Sequence, residues 1–167
     1  MISFLETSAE ELYRSAVKAF PNTTMRQHAT HPIVIRELRW TPFVGVRTLF
    51  IKGLAQNEDR EYTPILLFKG VNYTKSDVKI TASDGLEYNF GKLSLENTDI
   101  LLRCNCQDFK YRFAWYNKLD YSLYGSPPKK YVSKGIGPPA NPMELEGMCK
   151  HLMKMTEVVG NTGIFSE

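Results

Sequence analysis

The chain of 167 residues is poor in cysteine and histidine, with three of each, and it contains no long apolar run. An odd number of cysteines does not fit a fully paired disulfide framework. No stretch of about 18 apolar residues is present, so we expect no membrane span. The start MISFLETSAEEL lacks the basic region and the apolar core of a signal peptide. We therefore expect a protein of a reducing compartment that is not secreted.

Charge of one sign is not in large excess either. Lys and Arg number 21 against 18 Asp and Glu, which leaves a formal net charge of +3. Nucleic-acid-binding domains are usually more basic than this, so the charge permits an acidic partner without requiring one. Aromatic residues are well represented, with nine Tyr, nine Phe and two Trp. Large aromatic side chains mostly serve cores and interfaces.

The first part of the chain combines a helical pattern with a long region of strand patterns. Residues 3–20 have helical periodicity, and the spacing of Ser8 and Glu11 is typical of a capping box. Residues 33–103 form short segments rich in β-branched and aromatic residues. The Asp-Gly dipeptide at positions 84–85 is a strong hairpin signal. The sequence predicts an α+β fold, with an N-terminal helix and an antiparallel sheet of about six strands.

The last third of the chain returns to helical patterns. Phe109, Phe113 and Tyr116 share one face at helical spacing, which is typical of a core stripe. The patterns predict a helix at 108–120, a loop rich in Pro, Gly and Lys at 125–142, and a closing helix at 143–159.

All three cysteines and one histidine occur in two short stretches, RCNCQDF and GMCKHLMKM. Cys104 and Cys106 stand at the end of a predicted strand, where alternate side chains face the same side. Cys149 and His151 have the same spacing at the start of the closing helix. Together these side chains form a Cys₃His set, which zinc accepts with tetrahedral geometry. We therefore predict that zinc staples the C-terminal helical segment to the last strand.

Four protein ligands would close the zinc shell and leave no position for water or substrate, which indicates a structural site. The alternative is that the cysteines are buried without metal, as small hydrophobic residues. A second metal site at His28 and His31 is a weaker hypothesis, because histidines in a polar loop are mostly surface residues.

The paired C-x-C and C-x-H motifs resemble the SWIM-type zinc finger. The Asp-Phe that follows the first pair and the letters CKHL of the second pair also match that family. The resemblance covers about residues 100–156 and implies that Cys104, Cys106, Cys149 and His151 are the zinc ligands. The insert between Cys106 and Cys149 is long for the family. SWIM-type modules are credited with DNA binding or protein contacts, so the resemblance implies one of these two functions.

The C-terminal stretch PPANPMELEGMCKHLMKM is also similar to small structural proteins of tailed bacteriophages. This resemblance implies a virion component, located in the virion or in the host cytoplasm. We divide the chain into a helix plus antiparallel β domain at 1–100 and a SWIM-like zinc-binding segment at 101–167. The second segment contains the loop at 125–142.

We therefore expect a non-catalytic structural or interaction protein that docks on other subunits of a large assembly, without a membrane or a small-molecule substrate. The predicted partner contacts lie in the loop at Lys129, Lys130, Tyr131 and Lys134. The alternative is a zinc-dependent nucleic-acid-binding protein, because KYRFAWYNK and the loop mix basic with aromatic residues. A zinc hydrolase or deaminase is a third class, and the closed ligand set argues against it.

Overall fold

The structure is a computed structural model that describes residues 7–20, 33–130 and 140–166. Within these ranges the α-helices are α1 (Ala9–Ala19), α2 (Ala114–Leu119) and α3 (Lys150–Gly160). The strands are β1 (Val34–Phe43), β2 (Thr48–Asn57), β3 (Arg60–Tyr62), β4 (Ile65–Lys69), β5 (Val78–Thr81), β6 (Glu87–Phe90) and β7 (Ile100–Arg103). A 3₁₀ turn (Val44–Val46) follows β1, and a π-helix (Phe109–Phe113) precedes α2. The predicted α+β class is confirmed.

The main sheet has five antiparallel strands in the order β1-β2-β4-β7, with β3 also paired to β2. Strands β5 and β6 form the separate hairpin that the Asp-Gly dipeptide predicted. Alternate residues of three adjacent strands are fully buried on one face of the sheet: Leu49 and Ile51 of β2, Leu66 and Phe68 of β4, and Ile100 and Leu102 of β7. These residues face one another in register across the three strands, so they form one continuous apolar surface.

The first and last helices belong to the same hydrophobic core as this surface. The Ser8 Oγ accepts a hydrogen bond of 3.2 Å from the Glu11 N–H, so the predicted cap starts α1. Helix α3 contacts β1 and β2, and its Met155 lies against Gly53 of β2. Both halves of the chain thus contribute to one core, while the division into domains at residue 100 stays a prediction. In the described ranges, no helix has the length and apolar character needed to cross a bilayer.

The helix predicted at 108–120 begins as a wider π-helix. The Ala114 N–H bonds to the Phe109 carbonyl five residues earlier, so the turn holds more residues than an α-helical turn. Phe109 and Phe113 are buried as predicted, but Asn117 is buried in the place expected for Tyr116. Helical periodicity places residues three and four positions after Phe113 on the same face, and the structure buries the second of the two.

The closing helix is shorter than predicted, because two asparagine side chains hold the preceding residues in a non-helical conformation. Asn117 accepts a hydrogen bond from the Gly147 N–H and donates one to the Gly147 carbonyl, both at 2.9 Å. Asn141 donates to the carbonyls of Arg112 and Leu145, both at 2.8 Å. These bonds occupy backbone groups that a helix at 143–149 would use.

Gly147 also lies in a place with no room for a side chain. A Cβ atom there would lie 2.9 Å from the Ala16 Cβ and 2.8 Å from the Phe113 ring. Gly147→Ala should therefore lower the free energy of unfolding by about 1–3 kcal/mol, as measured by urea denaturation. Gly45→Ala is the matched control, because a Cβ there meets nothing within 4 Å. Equal stability of the two variants would contradict this packing.

The environment of Asp120, at the end of α2, can be tested by the pH dependence of the free energy of unfolding. Burial, followed by the charge of Glu146, raises the pKa of Asp120 from 3.8 to about 6. The folded state thus binds the Asp120 proton more tightly than the unfolded state, so this residue favours folding less as pH rises from about 4 to about 6. Asp120→Asn should be more stable than the wild type at about pH 8, and this advantage should shrink towards about pH 5.

Urea denaturation of both proteins across this pH range measures the difference, in which effects common to both cancel. The same exchange at Asp59, in the exposed turn after β2, controls for the loss of a negative charge. A stability difference between Asp120→Asn and the wild type that does not change with pH would contradict the assigned pKa.

Candidate metal centre

Two separate parts of the chain bring the four predicted ligands to one place. Cys104 follows directly after the last residue of β7, and Cys106 lies in the turn that leads into the π-helix. Cys149 is the N-cap residue of α3, and His151 belongs to the first turn of that helix. The sequence had placed the first pair at the end of the strand, and in the structure the pair lies just beyond the end of β7. The turn still directs both sulfurs to the same centre.

The four donor atoms form a compact and buried group. All of them lie within 4.8 Å of one another. The His151 Nδ1 is 3.9 Å from the Sγ of Cys104 and 3.9 Å from the Sγ of Cys149. Donors at the corners of a zinc tetrahedron lie about 3.5–3.8 Å apart. None of the four residues is more than 3% exposed. The cluster therefore has close to the size and shape that a tetrahedral metal ion needs.

The local backbone favours negative charge at the sulfurs. The Phe109 N–H donates a hydrogen bond of 3.3 Å to the Cys106 Sγ. Cys149 stands at the amino end of α3, where the helix dipole is positive. Both features stabilise thiolates, which are the form of cysteine that binds metals.

Contacts within the cluster shift the pKa values of the three thiols in different directions. Hydrogen bonds from the thiols of Cys104 and Cys149 hold the pKa of Cys106 well below its usual value. The hydrogen bond to Cys106 raises the pKa of Cys104, and burial raises the pKa of Cys149. A divalent cation among the sulfurs would allow all three thiols to ionise, because a metal ion displaces the protons of the thiols that bind it.

His151 is oriented for binding through Nδ1. Its Nδ1 faces two sulfurs, whereas its Nε2 is buried without a hydrogen-bond partner among the described residues. The Tyr62 ring covers the imidazole, with ring centroids 4.3 Å apart and planes tilted by 33°. Tyr62 comes from β3, which is far from His151 in the sequence. Packing by Tyr62 therefore restricts the orientation of the imidazole.

Asn105, between the two cysteines, ties the first ligand pair to the sheet. Its Oδ1 accepts a hydrogen bond of 2.8 Å from the Thr63 N–H, in the connection between β3 and β4. The predicted ligand set did not include Tyr62 or Asn105. The position of Asn105 inside the C-x-C motif was a usable signal, whereas no local pattern links Tyr62 to the cluster.

The donor set fits a soft or borderline metal ion. Three thiolates and one imidazole suit Zn²⁺, and oxygen-preferring ions such as Mg²⁺ or Ca²⁺ suit them poorly. The structure thus contains a Cys₃His cluster that could hold a metal ion, with every donor supplied by a protein side chain. The predicted grouping of Cys104, Cys106, Cys149 and His151 is what the fold produces.

The other predicted site residues lie in different places. Lys129 and Lys130 are exposed and lie beside Cys104 along a groove. Tyr131 and Lys134 lie outside the described residues, as do His28 and His31. Their predicted roles therefore stay predictions.

Comparison with known proteins adds no family to this description. No protein-family model, curated protein or solved structure matches the chain. The fold and the cluster define the protein as an α+β protein with a buried Cys₃His group.

The role of the Tyr62 ring in orienting His151 can be tested without removing a predicted metal ligand. Tyr62→Leu keeps an apolar side chain but removes the ring that packs on the imidazole. We expect Tyr62→Leu to bind zinc about tenfold more weakly, because groups that orient a ligand typically change metal affinity by 10- to 100-fold. Competition with a zinc-binding dye measures the affinity. Tyr13→Leu on α1 is the control, and an equal affinity of both variants would contradict the role of Tyr62.

Proposed function

We propose that the cluster is a structural zinc site and that the protein is a non-catalytic interaction protein. The observation that carries this proposal is that four buried side chains from two separate elements supply a full tetrahedral ligand set. Such a shell leaves no position for a substrate or a reactive water. When bound, zinc would supply cross-linking and charge neutralisation at this site.

The staple would join the end of β7 to the start of α3 across residues 107–148. Closing a long loop removes more chain entropy from the unfolded state than closing a short one. The loop at 125–142 lies within the bridged segment, so its two ends would be held by the same centre. This arrangement supports a role in which the zinc fixes a surface for contact with another protein.

The finer family assignment rests on the motifs. The order C-x-C then C-x-H, and the meeting of both pairs at one centre, support a SWIM-type finger. The long insert departs from that pattern. The resemblance of the C-terminal stretch to tailed-bacteriophage proteins supports a virion component that docks on other virion subunits. A virion role would place the protein in a large assembly, which self-association or association with capsid subunits would reveal.

Nucleic-acid binding is the second candidate function. Arg103, Lys110, Lys129 and Lys130 line one groove beside the cluster, and such basic surfaces attract phosphates. This function predicts an affinity for DNA that falls steeply with salt concentration.

Loss of one ligand tests the zinc staple. Cys149→Ala should bind no zinc at equilibrium and should lose several kcal/mol out of a total stability on the order of 5–15 kcal/mol. Native mass spectrometry counts the metal ions per chain, and thermal unfolding with and without a strong chelator measures their contribution. The wild type should unfold at a lower temperature with chelator, whereas Cys149→Ala should be insensitive to it.

Met155→Ala is the matched control for a general loss of packing. Met155 is fully buried in α3 and is not a ligand. Its truncation should cost about 2–5 kcal/mol while keeping one zinc per chain. Zinc retained in Cys149→Ala, or a wild type that binds no metal, would contradict the staple.

A further inference from the structure

A groove of about 730 Å³ opens directly beside the metal centre. One wall is the end of β7 with Cys104, and another is the π-helix with Phe109 and Tyr111. The third wall is formed by residues 128–130 at the start of the loop. We call this concavity the basic groove. The basic groove and the metal cluster have Cys104 in common, and their other residues are different.

The basic groove concentrates positive charge. Its lining includes Arg103, Lys110, Lys129 and Lys130, and none of its lining residues is acidic. The whole chain has a formal net charge of +3, so the residues outside these four are close to neutral in sum. Four positive charges are therefore gathered in one concave site, where they attract anionic groups.

The cations of the groove are not neutralised by carboxylates of the described chain. The Arg103 Nη1 donates to the carbonyls of Tyr124 and Ser126, at 3.0 and 2.7 Å. The Lys110 Nζ lies 5.3 Å from the centre of the Tyr111 ring. No carboxylate within the described ranges forms an ion pair with any of the four cations. Their charge is thus available to a ligand.

The floor of the groove is apolar, and this favours a peptide over a polynucleotide as the ligand. Phe109 and Ala114 line it and are almost fully buried, and Pro128 faces them from the loop. Of the two rings in this lining, Phe109 is 1% exposed and only Tyr111, at 39%, offers a face for stacking. Single-stranded nucleic acids favour several exposed rings on which successive bases stack. A concave apolar floor suits an aliphatic or aromatic side chain instead, with charged groups held at the rim.

We propose that the basic groove is the docking site for a short acidic segment of a partner protein. The segment would place one apolar side chain on the floor formed by Phe109 and Ala114, beside Pro128. Its carboxylates would pair with Lys110, Lys129 and Lys130 at the rim, where complementary charge speeds association and selects the partner. This proposal rests on the proposed function, because it names the partner chemistry of the surface that the zinc would hold.

The metal centre would control the shape of the groove. Cys104 lines the groove, and the Phe109 N–H is bonded to the Cys106 sulfur. Arg103, next to Cys104, holds the chain at 124–126 through two hydrogen bonds and so positions Lys129 and Lys130. Removal of zinc should therefore weaken binding of the acidic segment even though no partner atom touches the metal.

The test uses the zinc-loaded full chain and a fluorescent library of short synthetic peptides. Each peptide carries the same number of Asp and Glu residues and one Phe, Leu or Trp, and anisotropy measures binding. Replacing both Lys129 and Lys130 by Glu should weaken the best peptide at least about tenfold, which corresponds to about 1.4 kcal/mol. Replacing the apolar residue of that peptide by Ser should have an effect of similar size.

Lys75→Glu combined with Lys92→Glu is the matched control, because both residues are exposed and lie outside the groove. This control makes the same change of net charge and should alter affinity less than about twofold. Equal losses in the two double variants, or no binding by any acidic peptide, would overturn the docking site. A single-stranded oligonucleotide that binds through Lys129 and Lys130 while acidic peptides do not would overturn it in favour of nucleic acid.

Zinc content, measured on the same samples, separates this proposal from the zinc staple. One zinc per chain without peptide binding would refute the groove and leave the staple standing. Peptide binding that depends on Lys129 and Lys130 in a chain without zinc would support the groove and refute the staple. Binding that weakens on addition of chelator, in step with metal loss, supports both.

Discussion

The meeting of two short ligand pairs at one buried centre is the constraint on which the C-terminal half of the molecule depends. Three thiols and an imidazole within 4.8 Å of one another place α3 against the end of β7. Three thiolates buried close together would be unfavourable, since each thiolate repels the others and loses its hydration. A bound cation would neutralise this charge and would cross-link the two segments of the chain. The position of α3, the bridged loop and the neighbouring groove all follow from this junction.

Polar side chains support the junction from the other side. Asn117 holds both backbone groups of Gly147, and Asn141 donates to the carbonyls of Arg112 and Leu145. These bonds hold the chain in a non-helical conformation before Cys149, which is the N-cap of α3. The absence of a side chain at Gly147 lets this segment approach Phe113 and Ala16 closely. Ligand geometry thus depends on residues that have no metal chemistry of their own.

In the proposed function, a structural metal would serve recognition without touching the partner. The short segment after β7 carries two residues of the Cys₃His cluster, contributes to the groove and leads into the π-helix. Arg103 extends the same arrangement to the loop by two hydrogen bonds to carbonyls. The Arg103 charge is therefore held in place by backbone carbonyls rather than by carboxylates.

Much of the secondary structure could be predicted from the sequence, because its signals are local. The Ser8 cap and the Asp-Gly turn each depend on neighbouring residues, and each occurs as predicted. Two helices were misjudged for reasons that lie outside their own sequence. The first turn after Asp108 is a π-helix, and the distant Asn117 holds Gly147 in a non-helical conformation before α3.

The sequence by itself determined the class of fold and the identity of the Cys₃His residues. Ligand type and spacing are chemical properties of short segments, so they can be read without coordinates. Only the tertiary structure decided that the two pairs meet, that Nδ1 of His151 faces the sulfurs, and that Tyr62 covers the ring. It also decided that Lys129 and Lys130 stand beside Cys104. These relations join residues far apart in the chain, and only the packing of the sheet and helices around one core specifies such distances.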